Sequence, residues 1–250
     1  MIDCHTHWGR PWRERDGDNP TRWLAILDEF DVSHAVVLPE VGLIHAGKLS
    51  DDNTAIAIVC AKSGGKMLPF CTVNAWYREE ALAELERCLG SLHFRGVKFH
   101  NWLQGFSVGH PVIDDVCEMA AAYRVPILFH DGTPPFSLPS QIALLAKRHP
   151  ATQVILGHCG LFEHWREAAE ALRAAPNLWG CICGPHVAGI KHLLRRCDVH
   201  RLVWGSDVGY TLADCYPYRL GIMDTLELDQ ATRTAIFFSN ARRLLNVMPT

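Results

Sequence analysis

With 250 residues, 48% of them hydrophobic, the chain can bury a large core, in one sizeable domain or two small ones. A net charge of -3 with no Lys/Arg cluster argues against a nucleic-acid or anionic-membrane partner. No basic-then-apolar leader precedes the first strand and no apolar run approaches the roughly 20 residues that span a bilayer, so a cytoplasmic protein is expected.

The chain opens on Ile2-Asp3-Cys4-His5-Thr6-His7, a short strand whose alternation throws His5 and His7 to one face, where two imidazoles make a metal-binding clip. A polar loop follows, rich in Arg, Asp and Pro. Pro20 then starts an amphipathic helix to Phe30, and His34 to Glu40 is the second strand. Asp51 and Asp52 cap a helix to Lys62, stopped by Gly64-Gly65; strand three is Met67 to Asn74, and a helix runs from Arg78 to Leu89. Strand four, Phe94 to His100, precedes a helix opened by Pro111, and strand five is Val125 to Asp131. A helix over Pro139 to Arg148 leads to strand six, Gln153 to Cys159, and a helix over His164 to Ala174 leads to strand seven, Leu178 to Cys183. A helix from Val187 to Arg196, strand eight from Arg201 to Asp207 and one or two further helices ending at Leu245 complete the chain. The ten cysteines are scattered singly with no Cys-X-X-Cys pair, and read as small buried residues in a reducing compartment; Cys181-Ile182-Cys183 reads as a buried strand rather than a pair of soft ligands.

The strands recur about every 30 residues, the size of one strand-helix-strand unit. Right-handed crossovers between parallel strands give an open doubly wound sheet or a closed (β/α)8 barrel. Polar residues close nearly every strand: His5 and His7, Glu40, Asn74, Lys98 and His100, His130, His158 and Asp207. An open sheet gathers its site at one switch point, whereas a barrel gathers the C-terminal ends of all its strands at one rim. A single α/β domain over residues 1–250, a (β/α)8 barrel with one or two extra C-terminal helices, is therefore expected. Each polar residue alone has a bland reading, a core histidine or a helix cap, but histidine or acid at the same end of strands one, five, six and eight points jointly to a metal site.

At these positions the sequence resembles the amidohydrolase superfamily, in the amidohydrolase-2 branch that includes aminocarboxymuconate-semialdehyde decarboxylase-like proteins. The matching segments are Ile2 to His7, Gly96-Val97-Lys98, Phe129-His130, Gly157-His158-Cys159-Gly160, Trp204 to Asp207 and Asn240 to Leu245. The resemblance implies that His5, His7, His130 and Asp207 bind one divalent ion, most often zinc, with manganese or cobalt as alternatives, and that His158 is an unligated acid/base. Val208-Gly209-Tyr210 departs from the aromatic-then-proline pattern of relatives.

An ion held by three imidazoles and a carboxylate keeps room for water and lowers its pKa from about 15.7 to about 7. Asp207 would be both ligand and proton acceptor, and His158 would orient water or polarise a carbonyl. Lys98 has two readings: a CO2-modified bridge between two ions, as in some relatives, or, with His100, a fixed cation for a substrate carboxylate or carbonyl. Arg10, Arg13 and Arg15 with Trp8 and Trp12 suggest a planar acidic substrate, and His45, Asn101, Trp102, His186 and Tyr210 occupy other post-strand loops. The leading expectation is a metal-dependent hydrolase of an amide, cyclic amide or lactone in a small anionic molecule. The alternative is a metal-dependent decarboxylase of an unsaturated or aromatic acid. A nuclease branch is disfavoured by the acidic balance and by Ser206 before Asp207, and a non-catalytic scaffold by the complete ligand set. A homodimer is expected by analogy alone.

Overall fold

Eight parallel strands follow one another in sequence order in a computed structural model that describes residues 1–9, 19–209 and 215–247. They are β1 Ile2–Trp8, β2 His34–Pro39, β3 Met67–Cys71, β4 Gly96–Phe99, β5 Ile127–Phe129, β6 Val154–Leu156, β7 Leu178–Cys181 and β8 Leu202–Val203. The ring closes through backbone hydrogen bonds from Cys4 N–H to Trp204 O (3.0 Å), Asp207 N–H to His5 O (2.9 Å) and His7 N–H to Val208 O (2.7 Å). The fold is a (β/α)8 barrel.

The surrounding helices are α1 Pro20–Glu29, α2 Val41–Ile44, α3 Leu49–Ala61, α4 Arg78–Glu86, α5 Asn101–Gln104, α6 Val112–Tyr123, α7 Pro139–Arg148, α8 Trp165–Ala174 and α9 Val187–Arg196, then α10 Cys215–Asp224, α11 Gln230–Thr234 and α12 Asn240–Leu244. Local chemistry sets their starts. Pro20 opens α1 behind Asn19, whose side chain accepts the Arg22 N–H, and Pro139 opens α7. In α8, Trp165, Ala168, Ala169 and Leu172 are buried at helical spacing, which lays one face on the barrel. No helix among the described residues is long and apolar enough to cross a membrane.

Two packed layers result. Ile2, Cys4, Val36, Leu38, Leu68, Phe70, Leu128, Ile155 and Val203 pack inside the barrel, and Ala241, Leu244 and Leu245 join them from the C-terminal end of the chain. Gly96 makes this filling fit, because a Cβ there would lie 2.3 Å from the Phe70 ring. The larger outer layer lies between strands and helices and includes Trp8, Trp23 and Phe99. All ten cysteines are free thiols, and eight of them are buried.

The pairing of β1 with β2 slips between Asp3 and Thr6, where three residues of β1 advance against two of β2. Such a bulge reverses which face the following residues present. Ile2 and Cys4 therefore belong to the interior cluster, and His5 and His7 turn inward after them instead of outward. Asp3 faces the other way, and its carboxylate accepts the N–H groups of His5 (3.1 Å) and Ser206 (3.0 Å) and the Tyr216 hydroxyl (2.7 Å). One buried side chain thus joins β1 to the end of β8 and to α10. Desolvation pushes the Asp3 carboxyl up to about 6 in spite of these donors.

Several strands are shorter than the sequence predicts. His130, His158, Cys183 and Asp207 follow the last residues of their strands, although the N–H groups of His130 and Asp207 still bond neighbouring strands, at Phe99 O and His5 O. Arg201 belongs to a short 3-10 turn, Val199–Arg201, capped by Asp198. Asp51 and Asp52 sit inside the first turn of α3 rather than ahead of it, and Asp52 accepts the Gly42 N–H at 2.7 Å. The short helices α2 and α5 follow strands that the sequence alone leads straight into loops.

Replacing Asp3 by Ala strands three donors in a buried place, and we expect a loss of roughly 3 kcal/mol. Asp3→Asn keeps an acceptor oxygen and should lose clearly less. Urea denaturation checks both; an Asp3→Ala protein as stable as the parent would contradict the bridging role.

Candidate metal centre

His5 and His7 are fixed from behind. The Nδ1 of His5 lies 3.0 Å from the Gly157 carbonyl and that of His7 lies 2.5 Å from a Glu40 carboxylate oxygen. Carbonyl and carboxylate oxygens only accept, so each ring carries a hydrogen on Nδ1 and directs Nε2 to the centre. The two Nε2 atoms are 3.1 Å apart. Asp207 Oδ1 stands 3.2 Å from the Nε2 of His7 and 3.4 Å from that of His5. Three electron-rich atoms this close repel one another unless a proton or a cation lies among them. Ligands at roughly 2.0–2.1 Å from a tetrahedral ion are spaced by about 3.3 Å, so the triangle fits a metal.

Asp207 reaches this place through a left-handed backbone turn (φ 61°), an uncommon conformation that Asp tolerates better than most residues. Its own N–H is held by the His5 carbonyl, so ligand and clip are tied by the same hydrogen bond that closes the barrel.

Burial and the charges gathered round the triangle set the electrostatics of these groups. Burial raises the Asp207 carboxyl, but His158, His7 and Lys98 outweigh burial and hold it below its ordinary range. For His7, burial opposes the charged form, yet Glu40 and Asp207 raise it to about 9. Burial, Lys98 and the neighbouring rings push His5 well down. Burial first, then His158 and His100, does the same to His130. Burial lowers His158 to about 3 against the pull of Asp207.

Of the other expected site residues, the structure brings His158, His130, Lys98 and His100 together beside the triangle. His158 lies with its ring 4.7 Å from that of His5 and 4.5 Å from that of His130. His130 has its Nε2 3.1 Å from the Thr133 hydroxyl and its ring stacked on His100 at 3.8 Å. Lys98 is fully buried, with Nζ 3.4 Å from the Nε2 of His5; burial lowers its pKa although Asp207 and Glu40 pull the other way. His100 is lowered to about 2 by burial and Lys98. Trp8 packs in the outer layer, its ring 6.4 Å from Trp23 of α1, on the opposite side of β1 from the histidines. His186 caps α9 and Trp102 is exposed. Arg10, Trp12, Arg13, Arg15 and Tyr210 lie outside the described residues.

Three side chains matter more than their sequence context suggested. Glu40, visible only as a polar strand end, orients His7. Asp131 accepts the N–H groups of His158 (2.6 Å) and Gly160 (2.5 Å) and so clamps the turn that carries His158; burial raises its carboxyl to about 6. Cys183, read from sequence as plain strand, puts its Sγ 3.4 Å from the Nδ1 of His158. Ligand atoms of His5, His158, Cys183 and Asp207 all lie within 4.8 Å of one another, a rival set in which His158 and Cys183 would stand in place of the His7 and His130 that the family resemblance implies. The fully buried Asn101 amide has no hydrogen-bond partner at either end.

Similarity to known proteins agrees with this architecture. The chain superposes on 2,6-dihydroxybenzoate decarboxylase from Rhizobium with a TM-score of 0.76 at 14% identity, over 98% of both chains. On dihydroxybenzoic acid decarboxylase from Polaromonas, solved with manganese and 2-nitroresorcinol, the TM-score is 0.75 at 14% identity, over 100% of this chain and 97% of that one. For 4-oxalomesaconate hydratase from Rhodopseudomonas palustris it is 0.70 at 14% identity, over 98% and 95%. Identities this low speak for the shared fold. No match is found among curated proteins. The amidohydrolase family model matches residues 2–247, and the chain belongs to that family.

Proposed function

We propose that the chain is a metal-dependent hydrolase acting on an amide, cyclic amide or lactone of a small anionic molecule. The observation that carries this reading is the triangle of His5, His7 and Asp207, with edges of 3.1, 3.2 and 3.4 Å and both imidazoles pinned by acceptors behind them. His5, His7 and Asp207 would hold the ion, with His130 as the fourth ligand that the family resemblance implies. A His-rich set with one carboxylate suits zinc, and manganese is the metal in the Polaromonas relative. A divalent ion supplies polarisation of a carbonyl and lowers the pKa of water from about 15.7 to about 7.

The chain's own groups supply the rest. Asp207, kept ionised, can accept a proton from water. His158, kept neutral, can orient the attacking water by hydrogen-bonding to it. Lys98, with its amine beside His5, would be a fixed donor for a carboxylate or carbonyl.

A second reading is non-oxidative decarboxylation on the same residues, in which a proton replaces the departing CO2 on carbon. The decarboxylases of Rhizobium and Polaromonas favour it, as does the buried Lys98 near the centre. The hydratase of Rhodopseudomonas palustris, which by its name adds water, is closer to the first reading.

Elemental analysis should find about one divalent ion per chain and an unmodified Lys98 by mass. His5→Ala and Asp207→Ala should each lose most of the metal while keeping the far-ultraviolet circular dichroism of the parent, and full metal retention in both would remove the proposed ligands. Against lactones, cyclic amides and aromatic acids, His158→Ala should lower kcat by roughly 10²–10⁴-fold with metal content unchanged. Release of CO2 from an acid without net uptake of water would replace the hydrolase by the decarboxylase.

A further inference from the structure

We propose that Cys183 is a positioning residue that holds the proton of neutral His158 on Nδ1 and leaves Nε2 as an acceptor. Cys183 lies just beyond β7, with its side chain buried. Its Sγ is 3.0 Å from the Gly157 carbonyl oxygen and 3.4 Å from the Nδ1 of His158. The thiol carries one hydrogen. A carbonyl offers only lone pairs, and sulfur and oxygen at 3.0 Å repel unless that hydrogen lies between them, so the S–H donates to Gly157. Toward His158 the sulfur then has only lone pairs to give, and Nδ1 must be the donor.

The same carbonyl accepts the Nδ1–H of His5 at 3.0 Å. Gly157 therefore sets two tautomers at once, that of His5 directly and that of His158 through sulfur. Its place in the relay depends on the absent side chain: a Cβ on Gly157 would lie 2.6 Å from the Phe129 carbonyl oxygen and 3.2 Å from the His5 ring. Asp131 holds the His158 backbone from the other side. The ring is thus fixed in position by a carboxylate and in tautomer by a thiol. With Nε2 unprotonated, His158 enters the reaction able to take a proton and unable to give one. That functional consequence rests on the acid/base reading of His158 above, whereas the tautomer itself does not.

Two-bond proton–nitrogen correlation spectra of protein labelled with 15N-histidine test the assignment, on the metal-free chain and after zinc loading. The parent should show His158 protonated on Nδ1 and bare on Nε2. Cys183→Ser, whose hydroxyl can donate and accept in the same way, should keep that pattern. Cys183→Ala should move the proton largely to Nε2, the position favoured by an unconstrained imidazole, and lower kcat by roughly 10–100-fold with KM and zinc content little changed. Nε2–H in the parent, or an unchanged tautomer in Cys183→Ala, overturns the proposal. Should Cys183→Ala fail to fold, the parent and Cys183→Ser spectra still decide it. Should the tautomers behave as expected while His158→Ala keeps full turnover, the acid/base reading fails and the thiol assignment stands.

Discussion

The seam between β8 and β1 is the contact on which everything else depends. Three backbone hydrogen bonds close the ring there, and one of them runs from Asp207 N–H to His5 O. The residues so joined are 202 positions apart, and their side chains converge because the strands do. A slip of one residue along the seam would turn the carboxylate or the imidazoles to the other face, since strand side chains alternate. Asp3 guards against such a slip by bonding both sides of the seam with one carboxylate and adding the Tyr216 hydroxyl of α10.

Buried charge is arranged by function around this seam. Asp3 and Asp131 serve the backbone: each is fully buried, each accepts two N–H groups, and burial raises both toward neutrality. Glu40 serves one imidazole, and Asp207 serves the centre itself. Among the histidines, those pressed against Lys98 and one another stay neutral, with His158 and His100 pushed far down, while His7 between two carboxylates is pulled up. The cost of burying so many polar groups is offset by pairing nearly all of them.

The barrel was legible in the sequence because its signals are local and repeated: apolar runs of strand length, Pro and acidic residues at helix starts, and a polar residue at each strand end. The gathering of His5, His7 and Asp207 at one rim was expected from the barrel. The bulge in β1 was not legible, because simple alternation would send His5 to the face opposite Cys4, and only pairing with β2 reveals the slip. Nor was the role of Cys183, whose flanking Ile182 and Gly184 look like any buried strand; its partners Gly157 and His158 come from β6 and are invisible to spacing. Trp8 reads as a substrate ring beside the metal clip but falls on the outer face once alternation is counted from His7. Arg10 lies outside the described residues.

Diffraction at a metal absorption edge from crystals grown with zinc puts the central claim to its most direct test. The account predicts one strong anomalous peak inside the triangle, within about 2.0–2.2 Å of the Nε2 atoms of His5 and His7 and of an Asp207 carboxylate oxygen. A peak bound elsewhere, with that triangle intact and empty, would contradict it.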